Sequence, residues 1–496
     1  MKIKPPISGA FFSLLFMLAV NGFGQSPLAA CRLDRITPET GRMRVMCRLT
    51  GWAPGRIKLQ FLDRFAGVRD LGSRIDQLQA WADETKALPI ENFGDGLYSL
   101  AVPAGARRLT IGYEMRLARA SDPAQVALTS SLGQESGVLH LADLLPRWCE
   151  NSMIDCPEAA VELQLDPPAG WKVSTAAGRS GDRLLIRDPS LAIVFLGALR
   201  EHEVTVGTMR LRVATAGAWS FADGELFALA ATLARAQAET IGSLEQGDYL
   251  VIVAPFPWPL TGLRSSGVAV GRAAVLFLNE NNDPRQSFAL LRRHLPHEML
   301  HFFLPNAFRV RENFDWFWEG VPRYLAMVAL RRLGLIDFDE YLNSIADEYE
   351  AYSFIATRTQ LSLLDASREK FGRQSSYDLV YRKGTLVAAL LDWEIRRQSK
   401  GERSLADGLR GLYRQYALTG REIGNREVLE ELNRVADLSH LIREDIEGVK
   451  EIELAARVKA YGLAVVQNRE TGGRVRLRRA DSWSDSQRKM WADLVR

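Results

Sequence analysis

The sequence lacks any strong imbalance of charge, any long apolar run beyond its N-terminal segment and any motif typical of nucleic-acid binding. Its 63 lysines and arginines nearly balance 60 acidic residues, which leaves a formal net charge of +3 and gives no indication of a nucleic-acid partner. No later stretch approaches the ~20 apolar residues that a membrane-spanning helix needs, and there is no internal repeat or low-complexity tract. With 496 residues, 47% of them hydrophobic, the chain is typical of a globular protein with about two to four domains.

The N-terminal segment is organised like a secretory signal. Lys2 and Lys4 precede an apolar run over residues 10–20, which is too short to span a bilayer and fits the apolar region of a signal peptide. We therefore predict a signal peptide over residues 1–24 and an exported protein that is periplasmic or secreted. The segment LAAC, which ends at Cys31, also resembles a bacterial lipobox, so a lipoprotein anchored through Cys31 is the alternative.

Cysteine is scarce, and its four copies all lie in the N-terminal third of the chain. An even count in an exported protein predicts disulfides. Proximity predicts the pairs Cys31–Cys47 and Cys149–Cys156, with buried free thiols as the alternative. The spacing is not that of a zinc ribbon.

The residue pattern predicts an α+β, multidomain protein. From about residue 31 to residue 215, short alternating or β-branched segments such as RMRVMCRL and TMRLRVAT are separated by Gly, Pro and Asp turns, which predicts a β-sandwich-like N-terminal domain. The pattern changes near Trp219, where GELFALAATLARAQAETIG has helical periodicity, and from Phe317 to about Gly462 nearly every segment is helical. Residues 466–496 form a tail of about thirty residues, too few for another ordinary domain.

Histidine is also scarce, yet three of the six histidines lie within eight positions, at His294, His297 and His301. Residues four apart share one helix face, so His297 and His301 can bind one metal ion with Glu298 beside it, where a base acting on a metal-bound water is needed. This is the H-E-x-x-H arrangement of zinc peptidases. The alternative is a solvated helix face with ordinary histidines, and Pro296 allows the helix to kink or restart there, which would turn His294 away from the metal.

A catalytic zinc ion needs a third protein ligand, and Glu319 is the candidate. It follows His301 with seventeen residues between them, in the segment DWFWEGVPRYL that opens a second helix. A carboxylate near a helix start is also stabilised by the helix dipole, and the two roles are compatible.

Three segments, HEMLH, WFWEGVPRY and LVYRKGTLVAALLDWEIR, resemble the glycyl aminopeptidase family of gluzincin metallopeptidases. The resemblance covers about residues 215–465. It implies that His297, His301 and Glu319 bind zinc, that Glu298 is the general base and that Tyr381 donates a hydrogen bond to the oxyanion.

The same resemblance implies a thermolysin-like catalytic domain over residues 216–334 and a helical C-terminal domain over residues 335–465. The expected cofactor is Zn²⁺, and the expected partner is a peptide or protein substrate. The competing function is a metal-free, catalytically inactive binding protein of the cell envelope. Stoichiometric zinc and peptide hydrolysis distinguish the two.

Two positions depart from the family pattern. Relatives carry a glutamate ahead of H-E-x-x-H that binds the substrate's α-ammonium, whereas here TGLRSSG matches at Gly262 but has Arg264 in place of the glutamate. A cation there repels an α-ammonium, which predicts a substrate-binding site at Gly262 and Arg264 that does not require a free N-terminus. Alternatively, the alignment is off by a residue or two and Glu280 anchors the amine. One helical turn after Glu319, Arg323 stands where a carboxylate would orient a ligand histidine.

Overall fold

The structure, a computed structural model, describes residues 29–50, 55–117, 123–150, 159–242, 244–262, 264–279, 283–468 and 474–495. The predicted signal peptide at residues 1–24 lies outside these residues, as do Cys156 and Glu280. Among the described helices, none combines the length and the hydropathy needed to cross a membrane.

The N-terminal part of the described chain is built mainly from strands, with one short α-helix, α1 (Leu141–Leu144), and three 3-10 turns. The strands are β1 (Ala29–Thr37), β2 (Arg42–Leu49), β3 (Gly55–Gln60), β4 (Ile75–Ala82), β5 (Lys86–Leu88), β6 (Ile90–Gly94), β7 (Leu97–Val102), β8 (Leu109–Arg116), β9 (Ser131–Leu132), β10 (Ser136–His140), β11 (Arg147–Glu150), β12 (Val161–Leu165), β13 (Lys172–Thr175), β14 (Gly178–Ser180), β15 (Arg183–Ile186) and β16 (Ile193–Gly197). They form an eight-stranded sheet in the order β14-β15-β12-β1-β2-β8-β4-β5 and two four-stranded sheets, β13-β16-β10-β9 and β11-β3-β7-β6.

Alternation of buried and exposed residues explains how these strands share a core. In β2, Met43, Val45, Cys47 and Leu49 are buried while the residues between them face outward, as expected for a strand with one face on the core. Cys31 lies directly opposite Cys47 in the antiparallel β1–β2 pair, and the two form a disulfide. This confirms the first predicted pair. The second pair stays a prediction, because Cys149 is described and Cys156 is not.

A five-stranded sheet follows, and it carries the candidate site. Its strands are β17 (Arg200–Val206), β18 (Met209–Thr215), β19 (Gly247–Pro255), β20 (Ser265–Val270) and β21 (Ala273–Leu278), in the order β17-β18-β19-β21-β20. Strands β18, β19 and β21 run parallel, and β20 is an antiparallel edge strand. Helix α2 (Asp223–Ile241) makes the crossover from β18 to β19, and α3 (Pro284–Leu300) follows β21.

The strand pattern predicts that residues 200–215 belong to the N-terminal domain, whereas β17 and β18 hydrogen-bond within this second sheet. We therefore propose a domain boundary near residue 199. A strand pattern cannot reveal it, because alternation shows that a segment is a strand and not which sheet it joins.

The C-terminal part is helical. Its helices are α4 (Asp315–Arg332), α5 (Phe338–Ser353), α6 (Leu363–Arg368), α7 (Gln374–Gln398), α8 (Leu405–Leu412), α9 (Asn425–Val435), α10 (Ser439–Leu441), α11 (Leu454–Arg457), α12 (Asp485–Met490) and α13 (Ala492–Val495), with short strand pairs β22 (Arg309–Val310) with β23 (Glu422–Ile423) and β24 (Leu463–Asn468) with β25 (Arg474–Arg479). These helices share one hydrophobic core with α2, α3 and one face of the five-stranded sheet. The protein is thus α+β and multidomain, with a β-rich N-terminal region and a helical C-terminal region, as predicted.

The tail contributes to this core. Strand β25 packs on α5, and Trp491 is fully buried, with its ring against those of Phe338 and Trp393. Residues 474–495 are therefore part of the packing of the helical region, although they are too few to form a domain.

Candidate metal centre and active site

Helix α3 carries the H-E-x-x-H segment, with His301 at its C-terminal cap. Asp283 caps the helix by accepting hydrogen bonds from the backbone N–H groups of the second and third helical residues, and Pro284 occupies the first position, as favoured at helix starts. The helix continues through Pro296 to Leu300. The restart that the sequence allows does not occur. The amide of Gln237 donates to the Pro296 carbonyl at 2.9 Å, which fastens α3 to α2 at this turn.

Three side chains converge at the end of α3 and the start of α4. The Nε2 atoms of His297 and His301 lie 3.3 Å apart, and each lies 3.5 Å from Oε2 of Glu319. They form the only cluster of potential metal ligands of its kind among the described residues. A point equidistant from the three atoms lies about 2.0 Å from each, the distance at which zinc binds nitrogen and oxygen ligands.

The polar contacts of Glu319 leave one oxygen free for a metal. Its Oε1 accepts from Nζ of the buried Lys370 at 2.6 Å, while Oε2 is buried without a hydrogen-bond partner. Burial raises the pKa of this carboxyl, but Lys370 and the two imidazoles outweigh burial and hold the pKa well below its usual range. Glu319 is therefore ionised, as a metal ligand must be. The donor set and the unpartnered oxygen fit a zinc ion.

Glu298 lies between the metal ligands and the edge strand. It is buried, and burial raises the pKa of its carboxyl to about 8, so a cation at the neighbouring ligand atoms would favour the ionised form that a base needs. A Cβ placed on Gly267, in β20, would come within 2.3 Å of Oε1 of Glu298. Gly267 thus makes room for the carboxylate beside the sheet edge.

Tyr381 is brought to the site by a close approach of α4 and α7. A Cβ on Gly320 would lie 2.4 Å from the Gly384 backbone carbon, so the glycine that follows Glu319 and the glycine of the YRKG segment let the two helices touch. The ring centroid of Tyr381 lies 6.5 Å from that of His297. Burial raises the pKa of Tyr381 well above its ordinary value, so the phenol stays protonated and can donate a hydrogen bond to an oxyanion.

The predicted substrate-binding residues lie just ahead of the edge strand. Gly262 has φ +72°, a conformation that favours glycine. Asn279 fixes this turn, because its side-chain amide donates to the Gly262 carbonyl and its Oδ1 accepts from the Arg264 N–H at 2.6 Å. The Arg264 side chain is exposed. It lies three residues before Gly267, roughly 10 Å along an extended chain.

Several residues of the site gave no signal in the sequence. Lys370 stands fifty-one positions after Glu319, and Gly267 is one glycine among thirty-nine. Tyr377, whose ring centroid lies 4.6 Å from that of Tyr381, precedes it by one helical turn, so helical spacing could have found this neighbour. His294 is half-buried beside His297 in a cavity, not on a solvated face.

Comparisons with known proteins bear on the family and the fold of this chain. The family model of the M61 glycyl aminopeptidases matches residues 292–387, which confirms the predicted resemblance over this segment and supports a peptidase hydrolase. Among curated proteins, no sequence matches the chain.

Solved structures share the fold. An aminopeptidase N family protein from Idiomarina loihiensis is similar with a TM-score of 0.75 and 19% identity, over 89% of this chain and 79% of that chain. A variant of an M1 zinc metallopeptidase from Deinococcus radiodurans, bound to a Tyr-Ser-Ala substrate, is similar with a TM-score of 0.56 and 14% identity, over 86% of this chain and 94% of that chain.

Proposed function

We propose that this chain is an exported zinc-dependent metallopeptidase whose ligands are His297, His301 and Glu319. The observation that carries the proposal is the convergence of three ligand atoms, one of them an unpartnered buried carboxylate oxygen, next to a buried glutamate. A bound zinc ion supplies Lewis-acid polarisation of the scissile carbonyl and lowers the pKa of water.

Residues around the metal ligands supply the other groups that the reaction needs. Glu298 takes a proton from the attacking water and passes it to the leaving amine, because its buried carboxylate lies beside the ligands and is not itself one of them. Tyr381 donates its phenol proton in a hydrogen bond to the oxygen that becomes negative. Strand β20 offers its outer edge to an extended peptide, since within the described chain it pairs only with β21.

We further propose that a free N-terminus is not required. Arg264 is exposed at the start of the edge strand, where a substrate aligned with β20 would pass. Its positive charge disfavours an α-ammonium and favours a carboxylate or carbonyl. The test compares kcat/KM for one peptide with a free and with an acetylated N-terminus. A preference of tenfold or more for the free amine, about 1.4 kcal/mol, contradicts this part of the proposal.

Export is supported by the Cys31–Cys47 disulfide, because disulfides persist in oxidising compartments. The sulfur of Cys31 cannot both join a disulfide and carry the thioether of a lipid anchor, so the disulfide favours the periplasmic or secreted form over the lipoprotein.

The central test is elemental analysis together with hydrolysis of a peptide library. We expect one zinc per chain and cleavage. Glu298→Gln should keep the zinc and lose nearly all activity, because the ligands remain while the base is gone, and His297→Ala should lose the metal as well. The competing envelope-binding function predicts neither zinc nor hydrolysis, and full activity in Glu298→Gln contradicts the assigned base.

A further inference from the structure

A small, positively charged cavity lies on the side of His297 that faces away from the other ligands. It has a volume of about 160 Å³, and its lining includes Arg292, Arg293, His294, His297, Arg323 and Glu348. His294 precedes His297 by three residues on α3, and Arg323 follows Glu319 by four on α4. The cavity therefore lies about one helical turn from the metal ligands, before His297 on α3 and after Glu319 on α4.

His297 has a hydrogen-bond donor with no acceptor. Its Nε2 points to the other ligand atoms, so a neutral imidazole that binds a metal there carries its proton on Nδ1. That Nδ1 is buried and has no partner among the described residues. Metal-ligating histidines almost always give this N–H to a carboxylate, a carbonyl or a water, as His301 does with the Leu304 carbonyl at 2.7 Å.

The acidic groups around the cavity are already engaged. Arg323 donates to Oε1 of Glu348 at 3.0 and 2.7 Å, and Arg382 donates to Oε2 of Glu348 at 2.8 Å. Asp347 lies at the rim, where it accepts from Arg476 at 2.8 Å. The carboxylates that line the cavity therefore have no oxygen committed to His297.

Donors and positive charge remain on the cavity wall. The Nε of Arg292 is buried without a partner, and Arg293 lines the cavity without a hydrogen bond or ion pair to a described residue. The half-buried imidazole of His294 also lines this wall.

We propose that this cavity binds a small inorganic anion such as chloride, which accepts the Nδ1–H of His297 and holds the ring in position for the metal. The inference rests on the proposed zinc function, and it predicts that zinc affinity depends on the anion present. A partner of a ligand histidine typically changes metal affinity by about 10–100-fold.

The first experiment measures zinc affinity by competition with a chelator at constant ionic strength, in chloride and in gluconate, a much larger organic anion. We expect zinc to bind at least ~10-fold more tightly in chloride. Equal affinities in the two salts overturn the proposal, because a water molecule would then serve as the acceptor.

Matched variants locate the effect. Arg293→Gln, which removes the charge of an exposed arginine that lines the cavity, should reduce the chloride effect to less than about twofold. Arg285→Gln changes an exposed arginine on the same helix, away from the cavity, and should leave the effect intact. A chloride effect that persists in Arg293→Gln indicates chloride bound directly to zinc and overturns the proposal.

A crystal of the protein soaked in bromide separates this inference from the proposed function. An anomalous bromide peak beside Nδ1 of His297 supports the anion site, and an empty cavity overturns it. Failure to bind zinc in either salt contradicts the proposed function, whereas the bromide peak is measured whether or not zinc is present.

Discussion

Gly267→Ala tests whether Glu298 works from the position that the structure gives it. The added Cβ would lie 2.3 Å from Oε1, 2.5 Å from Cδ and 2.8 Å from Cγ of Glu298. An ordinary contact needs about 3.4 Å, so the carboxylate must move by about 1 Å, and a shift of that size costs a catalytic group ~10²-fold in rate.

The fold should tolerate this change. The backbone of Gly267 does not have a positive φ, and the atoms that the Cβ would meet belong to a side chain that can rotate aside. We expect kcat/KM to fall by ~10²-fold, zinc content to be unchanged and Tm to remain within about 3 °C of the wild type.

The assay is hydrolysis of one peptide, with zinc analysis and thermal unfolding of the same samples. Gly224→Ala is the matched control, because a Cβ there meets nothing within 4 Å. A Gly267→Ala protein with kcat/KM within threefold of the wild type refutes the reasoning. An equal loss in Gly224→Ala shows that the effect is not local to Glu298.

Three further predictions address the oxyanion donor, the helix crossing and acid stability. Tyr381→Phe should lower kcat by ~10²–10³ with zinc retained; a change in Tm with kcat intact would instead indicate a purely structural tyrosine. Gly320→Ala should force α4 and α7 apart and destabilise the protein by about 1–3 kcal/mol, measured by denaturant unfolding, and unchanged stability contradicts the close crossing. Burial raises the pKa of Glu427, but hydrogen bonds from Arg311 and Arg426 outweigh burial and lower it to about 2. The contribution of this carboxylate to folding stability is therefore present above pH ~4.5 and is lost as pH falls toward ~2. Glu427→Gln should remove this part of the pH dependence of unfolding in acid.

Much of the architecture follows from pattern because its causes are local. The β2 strand could be predicted because alternate residues of a strand face one side. The start of α3 could be predicted because Asp283 and Pro284 are a favoured cap and first residue. The sheet to which β17 and β18 belong was not predictable in this way. Strand partners are chosen by crossover packing through α2, and single-segment periodicity does not encode that choice.

The same distinction between local sequence and tertiary packing holds for the candidate site. The sequence alone determined that His297 and His301 share a helix face and that Glu298 lies beside them, because the rise and turn of a helix fix the relation of residues four apart. The resemblance to the glycyl aminopeptidase family also predicted Glu319 and Tyr381 as members of the same site.

Only the tertiary structure decided the environment of these residues. It placed Lys370 on Glu319, Gly267 against Glu298 and Arg323 on Glu348 rather than on His297. Each of these contacts joins residues from different helices or strands, so its geometry depends on how the elements pack and not on the spacing within any one of them. The charge state of Glu319, the space for the Glu298 carboxylate and the missing acceptor of His297 therefore arise from tertiary packing, because burial and neighbouring charges determine them.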